Sequence, residues 1–213
     1  MKHFEAKIQN QTFYLLPEKV IFWKEQKALI LSDLHIGKAS HFRKAGVPIS
    51  SHIHVNEFFV LDAIIEELKP EKILFVGDLF HSEHNQEWDL FYNWAHNYEH
   101  IELILIKGNH DILPESLYQN SRLQVMDQLL IDNIEFTHER NENPEGYNIS
   151  GHLHPGVSMV GSGKQSLKLP CFLFREDHAF LPAFGHFTGI AKIKPSKKDN
   201  IFVVAENEII HVS

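Results

Sequence analysis

A chain of 213 residues with 43% hydrophobic composition has enough apolar material for one globular domain with a full core, and a single domain over residues 1–213 is the expectation. Its formal net charge of −8 at pH 7 argues against a broad basic surface that grips nucleic acid through many phosphates. It leaves room for a compact phosphate site, where bound divalent cations would reverse the local sign. Charges scattered over residues 1–30 and the lack of the roughly 20-residue apolar run of a membrane span predict neither signal peptide nor membrane segment. Cys171 is the only cysteine, so no internal disulfide can form, and a cytoplasmic protein is expected.

Taken in chain order, Phe4–Trp23 reads as short strands with a break near Leu16-Pro17. Ala28–Leu31 is a buried strand, followed at once by Asp33 and His35. Lys38, Arg43 and Lys44 come next, the basic group nearest to a metal-type motif; Lys38 and Arg43 are candidate substrate-phosphate contacts, Arg43 being suited to bidentate pairing. Phe58, Leu61, Ile65 and Leu68 recur at helical spacing within Ser51–Lys69, and Pro70 follows the end. The strand Ile73–Val76 runs into Gly77-Asp78. Trp88, Phe91, Tyr92 and Ala95 mark a second amphipathic helix. Leu103–Ile106 is followed by Gly108-Asn109-His110-Asp111, Ile134–Thr137 by His138, and Tyr147–Ser150 by Gly151-His152-Leu153-His154. The tail is β-rich over Phe172–Phe174, Ile190–Ile193 and Ile201–Val212, with a turn near Glu206-Asn207. Cys171 reads as a small buried hydrophobe, Phe184 and Phe187 as core, and Lys192, Lys194, Lys197 and Lys198 as an exposed loop cluster. The alternation of strands and helices predicts an α/β protein: two packed sheets with helices outside.

Each of the five buried strands is thus followed by a polar cluster. Ligands in α/β sheets bind outside the carboxyl ends of strands, so five such ends can bring these side chains to one rim. Hydrolysis of a phosphate ester needs relief of negative charge on the phosphorus oxygens and a strong nucleophile near neutral pH. Two divalent cations about 3.5–4 Å apart supply both. Such a pair needs a carboxylate able to bridge, for which Asp78 is the choice, together with neutral imidazoles and oxygen ligands: Asp33, His35, Asn109, His138, His152 and His154. With no thiolate in the set, two divalent ions per chain are expected, Mn²⁺ foremost and Fe or Zn²⁺ as alternatives, rather than a structural zinc site. Gly77, Gly108 and Gly151 are expected to permit the tight turns that aim these side chains. Of the sixteen histidines, His3, His52, His54, His84, His96, His100 and His211 read as surface or packing residues. His41 and His186, near the motifs, are also read as structural before being read as pocket residues.

Asp33-x-His35, Gly77-Asp78, Gly108-Asn109-His110-Asp111, His138 and Gly151-His152-x-His154, in that order, resemble the five blocks of calcineurin-like metallophosphoesterases. The resemblance implies a four-layer β-sandwich flanked by helices, with the metal site at the carboxyl ends of the strands. It implies that Asp33, His35 and His154 hold one metal, that Asp78 bridges, and that Asn109, His138 and His152 complete the second. His110 would be the acid near the leaving group, oriented by Asp111. A narrower likeness is carried by Asp33-Leu34-His35-Ile36-Gly37-Lys38-Ala39, Phe42-Arg43, Gly46-Val47-Pro48, Leu169-Pro170-Cys171-Phe172 and Leu181-Pro182-Ala183-Phe184-Gly185-x-Phe187-Thr188-Gly189. These segments resemble the bacterial ligase-associated DNA damage response endonucleases, the PdeM-like branch. That likeness implies a metal-dependent phosphodiesterase or endonuclease acting on DNA or a nucleotide diester in DNA repair, with a DNA ligase and a helicase as possible partners. Glu139 departs from the small residue many members of the wider superfamily carry after His138. The alternatives left open are a phosphomonoesterase or cyclic nucleotide phosphodiesterase, and a metal-stabilised scaffold in a repair complex with little turnover.

Overall fold

Buried strands with apolar residues on both faces dictate the layering. The structure, a computed structural model, describes residues 1–44, 46, 53–81, 86–160, 165–186 and 188–212. Val47, Pro48, Ser51, His52, His84 and Phe187, and the side chains of His41 and Lys44, lie outside the described residues.

The first sheet has seven strands in sequence order: β1 (Phe4–Ile8), β2 (Gln11–Leu16), β3 (Val20–Trp23), β4 (Ala28–Leu31), β5 (Lys72–Val76), β6 (Glu102–Ile106) and β7 (Leu123–Met126). β1 to β4 pair antiparallel through tight turns, and β4 to β7 pair parallel. Parallel pairing needs long crossovers. The first is made by α1 (Lys38–Lys44) and α2 (Ile53–Leu68), the next by α3 (Gln86–His96), and the third includes the short α4 (Glu115–Gln119). Leu29, Leu31, Ile73, Phe75, Leu103 and Leu105 face the helices, meeting Phe58, Leu61, Ile65, Phe91 and Trp94. Their neighbours Ala28, Ile30, Leu74, Val76, Ile104 and Ile106 face the other way, into the core between the sheets. Burial on both faces is why these strands are continuous apolar runs in the sequence.

The second sheet has nine strands. Its main path runs β14 (Ala191–Lys192), β11 (Pro155–Val160), β12 (Ser166–Phe174), β13 (His178–Phe180), β10 (Tyr147–Ser150), β9 (Ile134–Thr137) and β8 (Gln128–Ile131). β15 (Asn200–Ala205) pairs with β12 and with β16 (Glu208–Val212). Phe136, Ile149, Phe172, Ala179 and Phe202 close the core from this side. The expected α/β sandwich is the observed architecture. Outside the second sheet, the described residues place Ile193 of the loop after β14 over Val157, Cys171, Leu173, Ile201 and Val203. Cys171 is buried there, as a small hydrophobe would be. Lys192, Lys194, Lys197 and Lys198 are exposed.

Two contacts align the rim. Ser32 bridges Ala183, and Ile36 bridges Phe80. With β4, β5 and β6 parallel in one sheet and β9 and β10 parallel in the other, five carboxyl ends open on the same edge of the sandwich.

Candidate metal centre

Five of the seven expected ligands leave their strands through left-handed backbone. Asp33, His35, Asp78, His152 and His154 have φ of 56°, 53°, 49°, 62° and 49°. For a residue with a Cβ this conformation costs on the order of 1–3 kcal/mol and persists only where the surroundings hold it. Here Asp33 donates its N–H to the Gly77 carbonyl at 3.0 Å and His35 to the Asp78 carbonyl at 2.9 Å, so the two loops lock each other.

The side chains gather in two groups whose ligand atoms lie within 4.8 Å of one another: Asp33, His35 and His154, and Asp78, His138 and His152. Asp78 touches both, its Oδ2 being 3.9 Å from His35 Nε2 and its Oδ1 3.4 Å from His138 Nε2. Asn109 Oδ1 lies 3.1 Å from His138 Nε2, and His152 Nδ1 lies 3.1 Å from the same nitrogen. The expected set is therefore brought together as two groups sharing one carboxylate.

Backbone carbonyls decide which ring nitrogens face inward. His154 Nδ1 lies 3.1 Å from the Gly189 carbonyl and His138 Nδ1 lies 3.3 Å from that of Val76. A carbonyl only accepts, so each Nδ1 carries the proton and each Nε2 presents a lone pair to the site. His154 Nε2 is 3.0 Å from Asp33 Oδ1, yet that oxygen has no hydrogen bond of acceptable geometry, and neither do the two ring nitrogens of buried His35. Burial foremost, with Lys38 adding to it, pushes the His35 imidazole down to a pKa of about 3, so it is neutral near pH 7. At Asp78 the upward push of burial is outweighed by His138 and by the His110 amide, and its pKa falls to about 2. Buried acceptors without donors, the neutral His35 imidazole and the firmly ionised Asp78 carboxylate fit a pair of divalent cations.

Glycines clear the space. A Cβ on Gly77 would lie 2.0 Å from His138 Nδ1, and one on Gly108 would lie 2.2 Å from Asp78 Oδ1. The tight-turn expectation captured only part of this: Gly77 does have φ +80°, but both positions are needed for close approach by ligand side chains.

Two of the expected residues have other partners here. Asp111 was expected to orient His110. Among the described residues its carboxylate instead accepts the Phe80 N–H and the Gly108 N–H, both at 2.8 Å. It is fully buried, and burial raises its pKa to about 6. The ring next to His110 is that of His81, with centroids 4.5 Å apart, and the His110 N–H donates to Asp78 Oδ1 at 2.9 Å. Arg43 was expected to meet substrate phosphate. Its guanidinium is 2.7 Å from the buried Glu87 carboxylate and also bonds Ser40 Oγ, so it ties α1 to α3. Lys38 lies at the start of α1, within electrostatic reach of Asp33 and Asp78; its ammonium pKa is lowered, chiefly by burial. His186, read as structural from the sequence, lines a cavity beside His154. His81, Glu57 and Lys19 went unnoticed in the sequence, since each lies outside any recognisable block. Glu139 places Oε1 3.8 Å from His152 Nε2.

No helix among the described residues is long and apolar enough to cross a membrane. The sequence profile of the family described as Calcineurin-like phosphoesterase matches residues 27–169, which hold every ligand named above. Among solved structures, the chain is similar to the nuclease MPE of Pseudomonas putida, with 25% identity, 99% of this chain and 100% of that chain covered, and a TM-score of 0.81. It also matches the phosphoesterase Yfce of E. coli, with 13% identity over 87% of this chain and 97% of that one, at a TM-score of 0.46. Curated protein sequences gave no significant match.

Proposed function

The chain belongs to the calcineurin-like phosphoesterase family and is a metal-dependent phosphoester hydrolase; on that premise, we propose that it is a binuclear phosphodiesterase that cleaves nucleic acid, a DNA nuclease of the repair type. Asp33, His35 and His154 would hold one cation. Asn109, His138 and His152 would hold the other, and Asp78 would bridge. The observation that carries this reading is Asp78: its two oxygens address two separate ligand groups, the first of which holds unpartnered Asp33 Oδ1 and His35 ring nitrogens. When bound, the cations would neutralise charge on the phosphate oxygens and acidify water near neutral pH. Mn²⁺ is the first choice for an oxygen-and-imidazole set without thiolate. The likeness to a nuclease over the whole length of both chains supports a nucleic-acid substrate.

The remaining residues take up the proton work and the positioning. His110, half-buried at the mouth, would donate a proton to the departing oxygen. Asp111 would act as a positioning residue, holding the Gly108–His110 turn against the Phe80 backbone. Lys38 would contact a substrate phosphate. Elemental analysis of carefully prepared protein should approach two metals per chain. Asp78→Asn should lower that number and abolish turnover of DNA diesters. Full activity in Asp78→Asn with unchanged metal content would sink the site, and a preference for a monoester over single- and double-stranded DNA and cyclic nucleotides would replace the nuclease reading.

A further inference from the structure

Beside the metal centre, a cavity of about 90 Å³ opens between the His154 loop and residues 183–189, lined by Lys19, His154, Gly185, His186 and Thr188 among others. It offers room for a few water molecules or one small oxyanion, and is too small for a nucleobase with its sugar. His154 belongs to two sites at once, because its Nε2 faces Asp33 while its ring lines this cavity.

The polar groups of the cavity are built into the fold. Glu57 is 1% exposed on α2. Its Oε2 lies 2.6 Å from His54 Nδ1, and its Oε1 takes both the His186 N–H and His186 Nδ1 at 3.0 Å. Both carboxylate oxygens are thereby covered. The Glu57 carboxylate at Nδ1 keeps a proton on that nitrogen, so Nε2 of the exposed His186 ring donates to an anion when the ring is protonated as the ion-pair partner of Glu57. The Lys19 ammonium bonds the Phe184 carbonyl, which uses one of its three donors. Burial lowers Lys19 to a pKa of about 8 against the opposing pull of Glu57, so it still carries its charge at pH 7. In a chain of net charge −8, a half-buried ammonium and an imidazolium paired with Glu57, sharing one small cavity, make an anion site rather than a solvated surface.

We propose that this cavity binds the phosphate next to the scissile one, so that the enzyme recognises a polynucleotide by two adjacent phosphates. The proposal rests on the reading of the neighbouring centre as a phosphodiesterase, and it names Lys19 and His186 as substrate-binding residues.

The test uses the metal-loaded protein and three thymidine dinucleotides: unphosphorylated TpT, and the same diester carrying an added phosphate at its 5′ or its 3′ end. Wild type should prefer one phosphorylated form. In Lys19→Met and in His186→Ala that preference, measured as the ratio of kcat/KM values, should fall about tenfold, through KM rather than kcat. His186 is exposed and its backbone N–H, which also bonds Glu57, survives the substitution, so this variant is the one expected to keep the fold if the change at Lys19 does not. The subsite is refuted if wild type shows no preference for either phosphorylated form, if both variants keep the wild-type ratio, or if only one loses it. It is equally refuted if the three substrates decline in parallel, the mark of a structural role. Calorimetric titration of the same compounds separates this idea from the catalytic one. If wild type cleaves no dinucleotide, the phosphodiesterase reading fails. The subsite then stands if phosphorylated dinucleotide binds wild type about tenfold more tightly than either variant, and falls if it does not.

Discussion

At the scale of single residues, the site depends as much on missing atoms as on present ones. Gly108 has no Cβ, and a methyl group there would meet Asp78 Oδ1 at 2.2 Å and the Asp78 N–H nitrogen at 2.4 Å. Backbone and a fixed carboxylate cannot step aside as the tip of a long side chain can. Gly108→Ala should therefore strip metal almost as Asp78→Asn does, while leaving the two hydrophobic cores intact. Elemental analysis beside circular dichroism would show it; a variant with wild-type metal content would remove the clearance argument. His110 is a different case. Its backbone touches Asp78, but its ring packs on His81 and lies 5.5 Å from that of His35, outside the two ligand groups. His110→Ala is expected to keep both metals and lose about 10²–10⁴ in turnover on DNA, the usual worth of a positioned acid. The loss should shrink on a diester with a nitrophenol leaving group, which leaves without a proton. Loss of metal in His110→Ala, or equal losses on both substrates, would contradict the acid role.

At the scale of elements, α2 connects the helix layer to the mouth of the site. Glu57 reaches from α2 to the N–H of His186, and Gly185 next to it donates its own N–H to the Asp33 carbonyl at 3.1 Å. At Glu57 burial pushes the pKa up, but the hydrogen bonds from His186 and His54 outweigh it and bring the value down to about 2, from 4.5 when unfolded. A depressed carboxylate stabilises the fold above its unfolded pKa, and that contribution fades as pH falls through the folded value. The difference in unfolding free energy between wild type and Glu57→Gln, both metal-free, should thus be largest above about pH 4.5. It should shrink by on the order of 3 kcal/mol as pH drops toward 2. Urea titrations at a series of pH values would measure it, and a difference that stays constant with pH would mean that Glu57 is not held as a buried anion.

At the scale of the whole molecule, an acidic chain that handles nucleic acid must do so locally. With a net charge of −8, the cations of the site and a few residues such as Lys38 and Lys19 have to carry the attraction to phosphate. Each phosphate neutralised contributes about 0.7–0.9 to the log–log dependence of binding on salt, so a shallow slope of roughly two to three is expected for DNA. A slope near that of a broad basic surface would mean that the Lys192–Lys198 cluster, exposed at the far end of β14, takes part after all.

The sequence alone carried the ligand types, their order, and the strands that end in them. Ala28–Leu31 falls on an observed strand because its burial on both faces makes it apolar throughout, and Ile134–Thr137 and Tyr147–Ser150 fall on strands through the alternation of Ile134, Phe136, Tyr147 and Ile149 with polar neighbours. The α/β sandwich followed from the same runs and the helices between them. What lies behind the ligands did not show. Asp111 reaches Phe80 across 31 residues, His186 reaches Glu57 across 129, and Lys19 reaches Phe184 across 165. A polar residue has no periodic signature by which a sequence could announce such a partner. Its role depends on which loop folds against it. Only the tertiary structure could show that Arg43 pairs with Glu87 across two helices, and that Asp111 accepts the Phe80 and Gly108 backbone N–H groups. The same holds for His186, one histidine among sixteen, which came to line a cavity beside the metal centre. Backbone patterning is written locally along the chain, whereas the pairing of buried polar groups is settled by distances that exist only after folding.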